Sequence, residues 1–514
     1  MIHCCCSSDA RSPIGLLLAR RRLPILFVLI IVILSTTTTT TMAMSVQSTT
    51  TTPPPPPTIV VCGLNAAFQK RFVLPDGATL IPGNVHRAAQ LSTGVGGKGQ
   101  DVAVTLSCLV NGNNDDDDDN NNVVNIQLAQ FLGKGGAGDA VQEILVNQVF
   151  HRQQQQHPQH LTIRSEAPLR TCTSIVAADA TTELVEPSGV IRDVEYQDLL
   201  QRVEETLEDG CPALCLMGSV PPGVPADAYA QLYRRCRQGH HQSSSSSSSS
   251  SQPFLCLIDS VVGLAPLWQE IVDCGTRAPT RQQQQTILKI NASELCRLAK
   301  LENKEEAGGV AQDQLVQAVV AFLRQPLEQQ DSTQQPQQTK VAAALDALAI
   351  TDGKHTAYLV RILQPPQSSQ AQYKMQIYQL PVPQLTNNNN LLYPIGAGDA
   401  VAAGTLAAWK SLTDHYHYYY SQQPEHPQES EGSTRSTVLP PALLEPLLRD
   451  ATQHMSALNS DDADAIFLTS FAFGIACGTA SCLQESNSVV TILDVQRLYR
   501  SNGQPKLVVS SLEL

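Results

Sequence analysis

The chain has 514 residues, 42% of them hydrophobic and 16% charged, with a formal net charge of -13. Five of those negative charges are Asp115 to Asp119, and no block of Lys or Arg lies beyond the N-terminal region, which excludes the basic footprint of a nucleic-acid partner. The 14 cysteines form no CxxC pair, which excludes a zinc or disulfide framework and reads as free thiols in a reducing compartment.

Residues 1–57 carry Arg20, Arg21 and Arg22, a single acid (Asp9), many Ser and Thr, and an apolar run at 23–34 interrupted by Pro24. A membrane span needs about 20 apolar residues, so this run is too short and resembles a signal-peptide core or part of a transit peptide. The composition points to an organelle, plastid or mitochondrion; a start at Met42 or Met44 leaves a cytosolic enzyme. No stable membrane insertion of the mature protein is expected. Residues 58–514 read as one domain with low-complexity loop insertions near 111–122, 151–160, 240–252, 281–285, 325–340, 365–372, 386–390 and 413–437. Such polar tracts cannot bury enough apolar surface to offset their ordering entropy. Loop closure grows slowly with length, so a fold tolerates them.

Along that domain, apolar and β-branched runs predict strands at 58–64, 123–131, 171–178, 213–217, 253–259, 286–290, 345–351 and 356–362. Helical spacing predicts helices at 140–150, 193–207, 226–236, 293–301 and 312–323. Alternating strands and helices imply a mostly parallel sheet covered on both faces. The chemistry then belongs just beyond the carboxyl ends of the strands.

The segments in those places are rich in glycine. PIGAGDAVAAGTL (394–406) sets Gly396, Ala397 and Gly398 before Asp399 and a small-residue helix. The first amides of a helix lack internal partners and can hold phosphate, and Asp399 beside them could take a hydroxyl proton. The same pattern also describes a helix cap after a loop, and a second copy stands at Gly136, Ala137, Gly138 and Asp139; spacing alone does not choose between the copies. TGVGGKGQDVA (93–103) surrounds Lys98 with glycines but is not a Walker A loop. It suits a sugar or a phosphate, or a plain turn. GSVPPG (218–223) follows a strand directly. In KINASEL (289–295), Asn291 and Glu294 are three apart, the spacing of a capping box and also of a carboxylate that holds water on Mg2+. The cluster His415 to Tyr420 reads as a solvated loop.

The set and its order resemble one family. NAAFQK (65–70), PGNVHRA (82–88), GGKGQDVA (96–103), GKGGAGD (133–139), Arg170–Thr171, Glu186–Pro187, GSVPPG (218–223), Asp259–Ser260, KINASEL (289–295), Thr351–Asp352–Gly353 and GAGD (396–399) look like the PfkB, or ribokinase-like, carbohydrate kinases. Within that family they are most similar to the 1-phosphofructokinase and tagatose-6-phosphate kinase branch. The resemblance implies an α/β three-layer sandwich with a small β lid to which residues 65–80 contribute. It implies ATP and Mg2+ as cofactors, and a sugar or sugar phosphate as acceptor. It makes Asp399 the catalytic base, Gly396, Ala397 and Gly398 the anion hole, and Asp139 a helix cap. Gln69, Gly96, Gly97, Lys98, Asp101, Arg170 and Ser219 match substrate-binding positions. Asn291, Glu294, Thr351, Gly353 and Gly474 match the ATP and Mg2+ side, with Glu294 reaching the metal through water and Gly474 in a helix at 472–482 that walls the adenine site. The family has Asp where this chain has Gln69, and Asn where it has Asp101. That exchange of hydrogen-bonding character implies a different preferred sugar. A ribokinase-like or nucleoside kinase, and a catalytically weak sugar-binding regulator, stand as alternatives, and a homodimer is compatible with either.

Overall fold

The computed structural model of the chain describes residues 58–111, 124–150, 161–207, 211–245, 252–277, 284–301, 309–327, 340–363, 372–385, 392–421, 438–458 and 462–514, within one unit running from Pro55 to Leu514. The apolar run at 23–34 and the rest of residues 1–57 lie outside the described residues.

The strands are β1 (Thr58–Cys62), β2 (Ala67–Val73), β3 (Gln90–Gly96), β4 (Asn125–Gly133), β5 (Thr162–Ser165), β6 (Thr171–Val176), β7 (Thr181–Val185), β8 (Ala213–Met217), β9 (Phe254–Asp259), β10 (Gln284–Asn291), β11 (Ala347–Thr351), β12 (Ala357–Leu363), β13 (Lys374–Leu380) and β14 (Lys506–Glu513). The helices are α1 (Lys98–Asn111), α2 (Gly136–Leu145), α3 (Asp193–Thr206), α4 (Ala228–Ser245), α5 (Leu264–Arg277), α6 (Ala292–Leu298), α7 (Gln312–Leu323), α8 (Ala397–Ser421), α9 (Pro441–Leu458), α10 (Asp462–Ser481) and α11 (Ile492–Ser501). Ten strands form the main sheet in the order β14-β13-β12-β11-β10-β9-β8-β1-β4-β5. From β5 to β11 neighbours run parallel, and β12, β13 and β14 continue antiparallel. A separate four-stranded sheet has the order β3-β2-β6-β7.

The reason for a central parallel sheet is visible residue by residue. In β1, Ile59 and Val61 join a core shared with α1, α8 and α10, while Val60 and Cys62 join a core shared with α3, α4 and α7. Every residue of β8 and β9 is buried. Fully burying one Val, Leu or Ile contributes about 1.5–3 kcal/mol, so strands covered on both faces are continuous apolar runs. The result is the α/β three-layer architecture expected, with the small sheet beside it.

Several strands that the apolar pattern missed have a wet face. β3 (QLSTGVG) and β7 (TTELV) are mostly exposed or half-buried, and β14 is exposed along most of its length. No disulfide joins the eleven described cysteines.

Two expectations are corrected. The helix expected at 472–482 begins ten residues earlier, at Asp462. It lacks a polar face because α8, α9 and α11 surround it; although it is long and apolar enough to cross a membrane, 94% of that window is buried in the fold. The loop expected at His415 to Tyr420 is instead the end of α8. Tyr416 packs on the core, with its hydroxyl 3.3 Å from Thr452 on α9, and this contact carries the helix onward.

Trp409 on α8 is fully buried, lies 5.4 Å from the Phe467 ring, and donates its indole N–H to Gln285 Oε1 at 3.1 Å. Trp409→Ala is expected to lower the unfolding free energy by about 3–5 kcal/mol, measured by denaturant unfolding as a lower midpoint at unchanged slope.

Candidate active site

A cavity of about 490 Å³ opens between the carboxyl ends of β1, β8, β9 and β10 and the four-stranded sheet. Its wall brings together Gln69, Gly97, Lys98, Asp101, Arg170, Ser219, Glu294, Gly396 and Asp399. These come from segments more than 300 residues apart, and they meet because parallel strands deliver their following loops to one edge of the sheet.

The turn before α8 is built by a glycine and a serine that share one geometry. Gly396 has φ of +84° and Ser488 has φ of +57°. A β-carbon on Gly396 would collide with Ser488. Ser488 is fully buried; its hydroxyl donates to Gly396 O at 3.0 Å, and its carbonyl accepts from Thr105 Oγ1 at 2.5 Å. A non-glycine residue in this region is strained, and here two hydrogen bonds over-determine it. α8 then starts at Ala397. The Ala397 N–H turns back to Pro394 O at 3.2 Å, and the Ala400 N–H closes onto Gly396 O. The amides of Gly398 and Asp399 meet no carbonyl among the described residues. Of the three residues expected to form an anion hole, Ala397 has its amide engaged with Pro394 O.

Asp399 lies in the first turn of α8 and keeps part of its surface on the cavity. Its carboxyl is pushed up to about 7. Desolvation in the enclosed site is the largest cause, the Asp259 charge adds to it, and Lys98 and Lys289 oppose it.

Beside it is a buried charge cluster. Asp259, at the end of β9, is 1% exposed and accepts from Lys98 Nζ at 2.6 Å and from Lys289 Nζ at 2.6 Å, one on each oxygen. Burial pushes the Asp259 carboxyl up, but Lys289 and Lys98 outweigh it and hold the group below the ordinary range. Burial likewise pulls the Lys98 ammonium down, and Asp259, Asp399 and Glu294 together raise it. The Lys289 ammonium lies 3.1 Å from where a β-carbon on Gly398 would sit, so it flanks the GAGD turn. Gly97 (φ of +110°) makes the turn into α1, and Gly99 brings that helix against the backbone of Gly63.

On the side facing the small sheet, Gln69 Nε2 donates to Ser174 Oγ at 2.5 Å, and the Gln69 carbonyl oxygen lies beside Gly96. Arg170 donates to Asn65 O at 2.9 Å and to Ala66 O at 3.3 Å. Asn65 in turn donates to Ser219 Oγ at 2.8 Å. Asp101, on the first turn of α1, is 4% exposed and its Oδ1 has no hydrogen-bond partner. Its carboxyl stands well above the ordinary range, first through burial and then through the Asp399 charge; the nearby Ser488 hydroxyl and the Arg71 charge oppose this.

Asn291, Thr351, Gly353 and Gly474 lie off the cavity wall. Asn291 and Glu294 make a full capping box for α6: Asn291 Oδ1 accepts from the Glu294 N–H at 2.7 Å, and Glu294 Oε2 accepts from the Asn291 N–H at 3.3 Å. Glu294 also reaches the cavity, with Oε1 3.9 Å from Lys98 Nζ, so the cap and the site use the same carboxylate. Thr351 pairs with Asn291 at the strand ends, and Gly353 (φ of +57°) makes the turn that follows. Gly474 lies at the α8–α10 crossing, where a β-carbon would meet Val401 O at 2.5 Å. Asp139 is not a helix cap: Gly135 holds the N-cap of α2, and Asp139 sits in the first turn paired with Arg164 at 2.5 Å. The extra glycines of that copy let the helix start earlier than the apolar pattern shows.

Sequence reasoning gave no role to Asp259, Lys289, Asn487 or Ser488. The first two do leave a signal, since each is a charge inside an otherwise apolar strand. Asn487 and Ser488 leave none, being polar residues in a polar loop. Arg71, buried on β2, bonds to Asn487 and lies 5.1 Å from the Tyr393 ring, joining the small sheet to this loop.

Asp259→Asn leaves two ammonium groups around a neutral amide. It is expected to lower stability by about 3–5 kcal/mol, whereas Asp139→Asn, on a carboxylate 64% exposed, should change it by less than about 1 kcal/mol. Urea unfolding of the two variants side by side checks the contrast.

A scan against models of known protein families matches none to this chain. Among solved structures, it is similar to Escherichia coli phosphofructokinase-2 in complex with substrates and products, at 16% identity and a TM-score of 0.49, covering 86% of this chain and 98% of that one. It is similar to a possible 1-phosphofructokinase from Thermotoga maritima, at 14% identity and a TM-score of 0.49, covering 88% and 99%. It is also similar to a ribokinase from Giardia lamblia, at 14% identity and a TM-score of 0.48, covering 86% and 99%.

Proposed function

We propose that this chain is a PfkB-type carbohydrate kinase, transferring the γ-phosphoryl group of ATP to a hydroxyl of a sugar or sugar phosphate, with Asp399 as the base. One observation carries the reading: a carboxylate with a raised pKa in the first turn of α8 shares a cavity wall with the Lys98 glycine loop. Phosphoryl transfer asks a protein mainly for positioned positive charge and a group to take the hydroxyl proton, and those are the parts present.

The donors fit the cofactors. The free amides of Gly398 and Asp399 at a helix N-terminus suit phosphate oxygens. Glu294 offers a hard oxygen at the cavity, and Mg2+ takes few protein ligands and keeps several waters. ATP supplies the phosphoryl group when bound, with Mg2+ neutralising charge on its oxygens. Lys98 and Lys289 add fixed positive charge beside the turn, and Asp259 holds both ammonium groups in place. The ionised Asp399 accepts the acceptor's hydroxyl proton. The small sheet, tied down through Arg71, excludes the water that would compete as acceptor.

Asp399→Asn is expected to reduce kcat by about 10²–10⁴-fold while ATP binding, measured by calorimetry, persists; equal turnover in variant and parent rules Asp399 out as the base. A base works only when ionised, so in the parent kcat/KM should climb as pH rises through about 7 and level off above it. A pH profile flat across that window contradicts the assignment.

A further inference from the structure

We infer that the acceptor taken by this cavity is an uncharged polyhydroxyl sugar and not a sugar phosphate. The inference rests on the kinase reading above and narrows its substrate. The wall carries four acidic side chains, Asp101, Glu183, Glu294 and Asp399, against two cations, Lys98 and Arg170; burial favours the neutral form of Asp101, so the standing negative charge is that of Glu183, Glu294 and, above about pH 7, Asp399. Only Lys98 has its charge balanced by a carboxylate; Arg170 keeps its charge but is held in place through Nε and Nη2. Lys98 is bound to Asp259, and Arg170 is anchored to the carbonyls of Asn65 and Ala66. Neither Asp101 nor Glu183 forms an ion pair among the described residues.

Hydrogen-bonding character points the same way as charge. The side facing the small sheet presents acceptors: the unpartnered Asp101 Oδ1, the Gln69 carbonyl oxygen left over once its amide donates to Ser174, and the Glu183 carboxylate on β7. Sugar hydroxyls can donate to all three. A phosphate only accepts once ionised, and it brings nearly two further negative charges at neutral pH. Placed here it meets like charge and finds few free donors. Glu183, on β7 of the small sheet, and Asp101, on the first turn of α1, both face this cavity.

The test compares kcat/KM for D-fructose and D-ribose with that for fructose 1-phosphate, fructose 6-phosphate and tagatose 6-phosphate, in the parent and in Glu183→Arg and Glu183→Gln. The parent should favour the unphosphorylated sugars. Glu183→Arg, on an exposed strand of the small sheet, should shift the ratio toward the phosphorylated ones by about tenfold or more, with Glu183→Gln between. A parent that prefers phosphorylated sugars, or a ratio unmoved by Glu183→Arg, overturns the inference while leaving kinase activity standing. If no sugar is turned over, the kinase reading fails, and calorimetric binding of the same sugars decides the acceptor class by itself. Binding of the unphosphorylated sugars supports the inference; binding of the phosphorylated ones only, or of none at millimolar concentration, overturns it.

Discussion

Two ammonium groups share one buried carboxylate at the carboxyl ends of β9 and β10, and the arrangement of the cavity follows from that triad. Asp259 is almost completely removed from water. An isolated charge there is prohibitively unfavourable, so it needs partners. Lys289 comes from the next parallel strand and Lys98 from the start of α1. The triad thereby ties the Lys98 glycine loop to the central sheet. Buried pairs of this kind contribute little net stability against an apolar replacement, yet are strongly unfavourable once broken. Their effect is to fix one geometry, and that geometry places positive charge beside the first turn of α8.

Close backbone approach is the second constraint. Gly63 against Gly99 brings β1 onto α1, and Gly404, Gly474 and Gly478 bring α8 onto α10. Neither contact has room for a side chain. The strained Ser488 belongs to the same design. It locks the carbonyl of Gly396 and, through Asn487, links the turn to Arg71 on the small sheet. The elements that hold Asp399 are therefore coupled to the small sheet beside the cavity.

The electrostatic character of the cavity divides along its length. Toward α8, cations and free amides surround a carboxyl with a raised pKa. Toward the small sheet, Glu183, the buried Asp101 carboxyl and the Gln69 amide stand with Arg170.

Much of this was legible in the linear chain. The apolar runs of β1, β8 and β9 declare a sheet buried on both faces, since only such a sheet needs strands without a polar side. The glycine clusters declare where backbone must approach closely, and their positions after strands declare which edge carries the chemistry. Strands such as β7 and β14 were not legible, because a half-wet strand needs no apolar run and is defined by the partner it pairs with. The aromatic end of α8 read as loop for a related reason, its helix being maintained by contact with α9. Local chemistry thus determined the layers, the glycine turns and the candidate base. Pairwise meetings of residues far apart in the chain were decided by the tertiary structure alone: Asp259 with Lys98, Ser488 with Gly396, Arg71 with Asn487. Burial and charge act through space, and a sequence records neither distance nor dielectric.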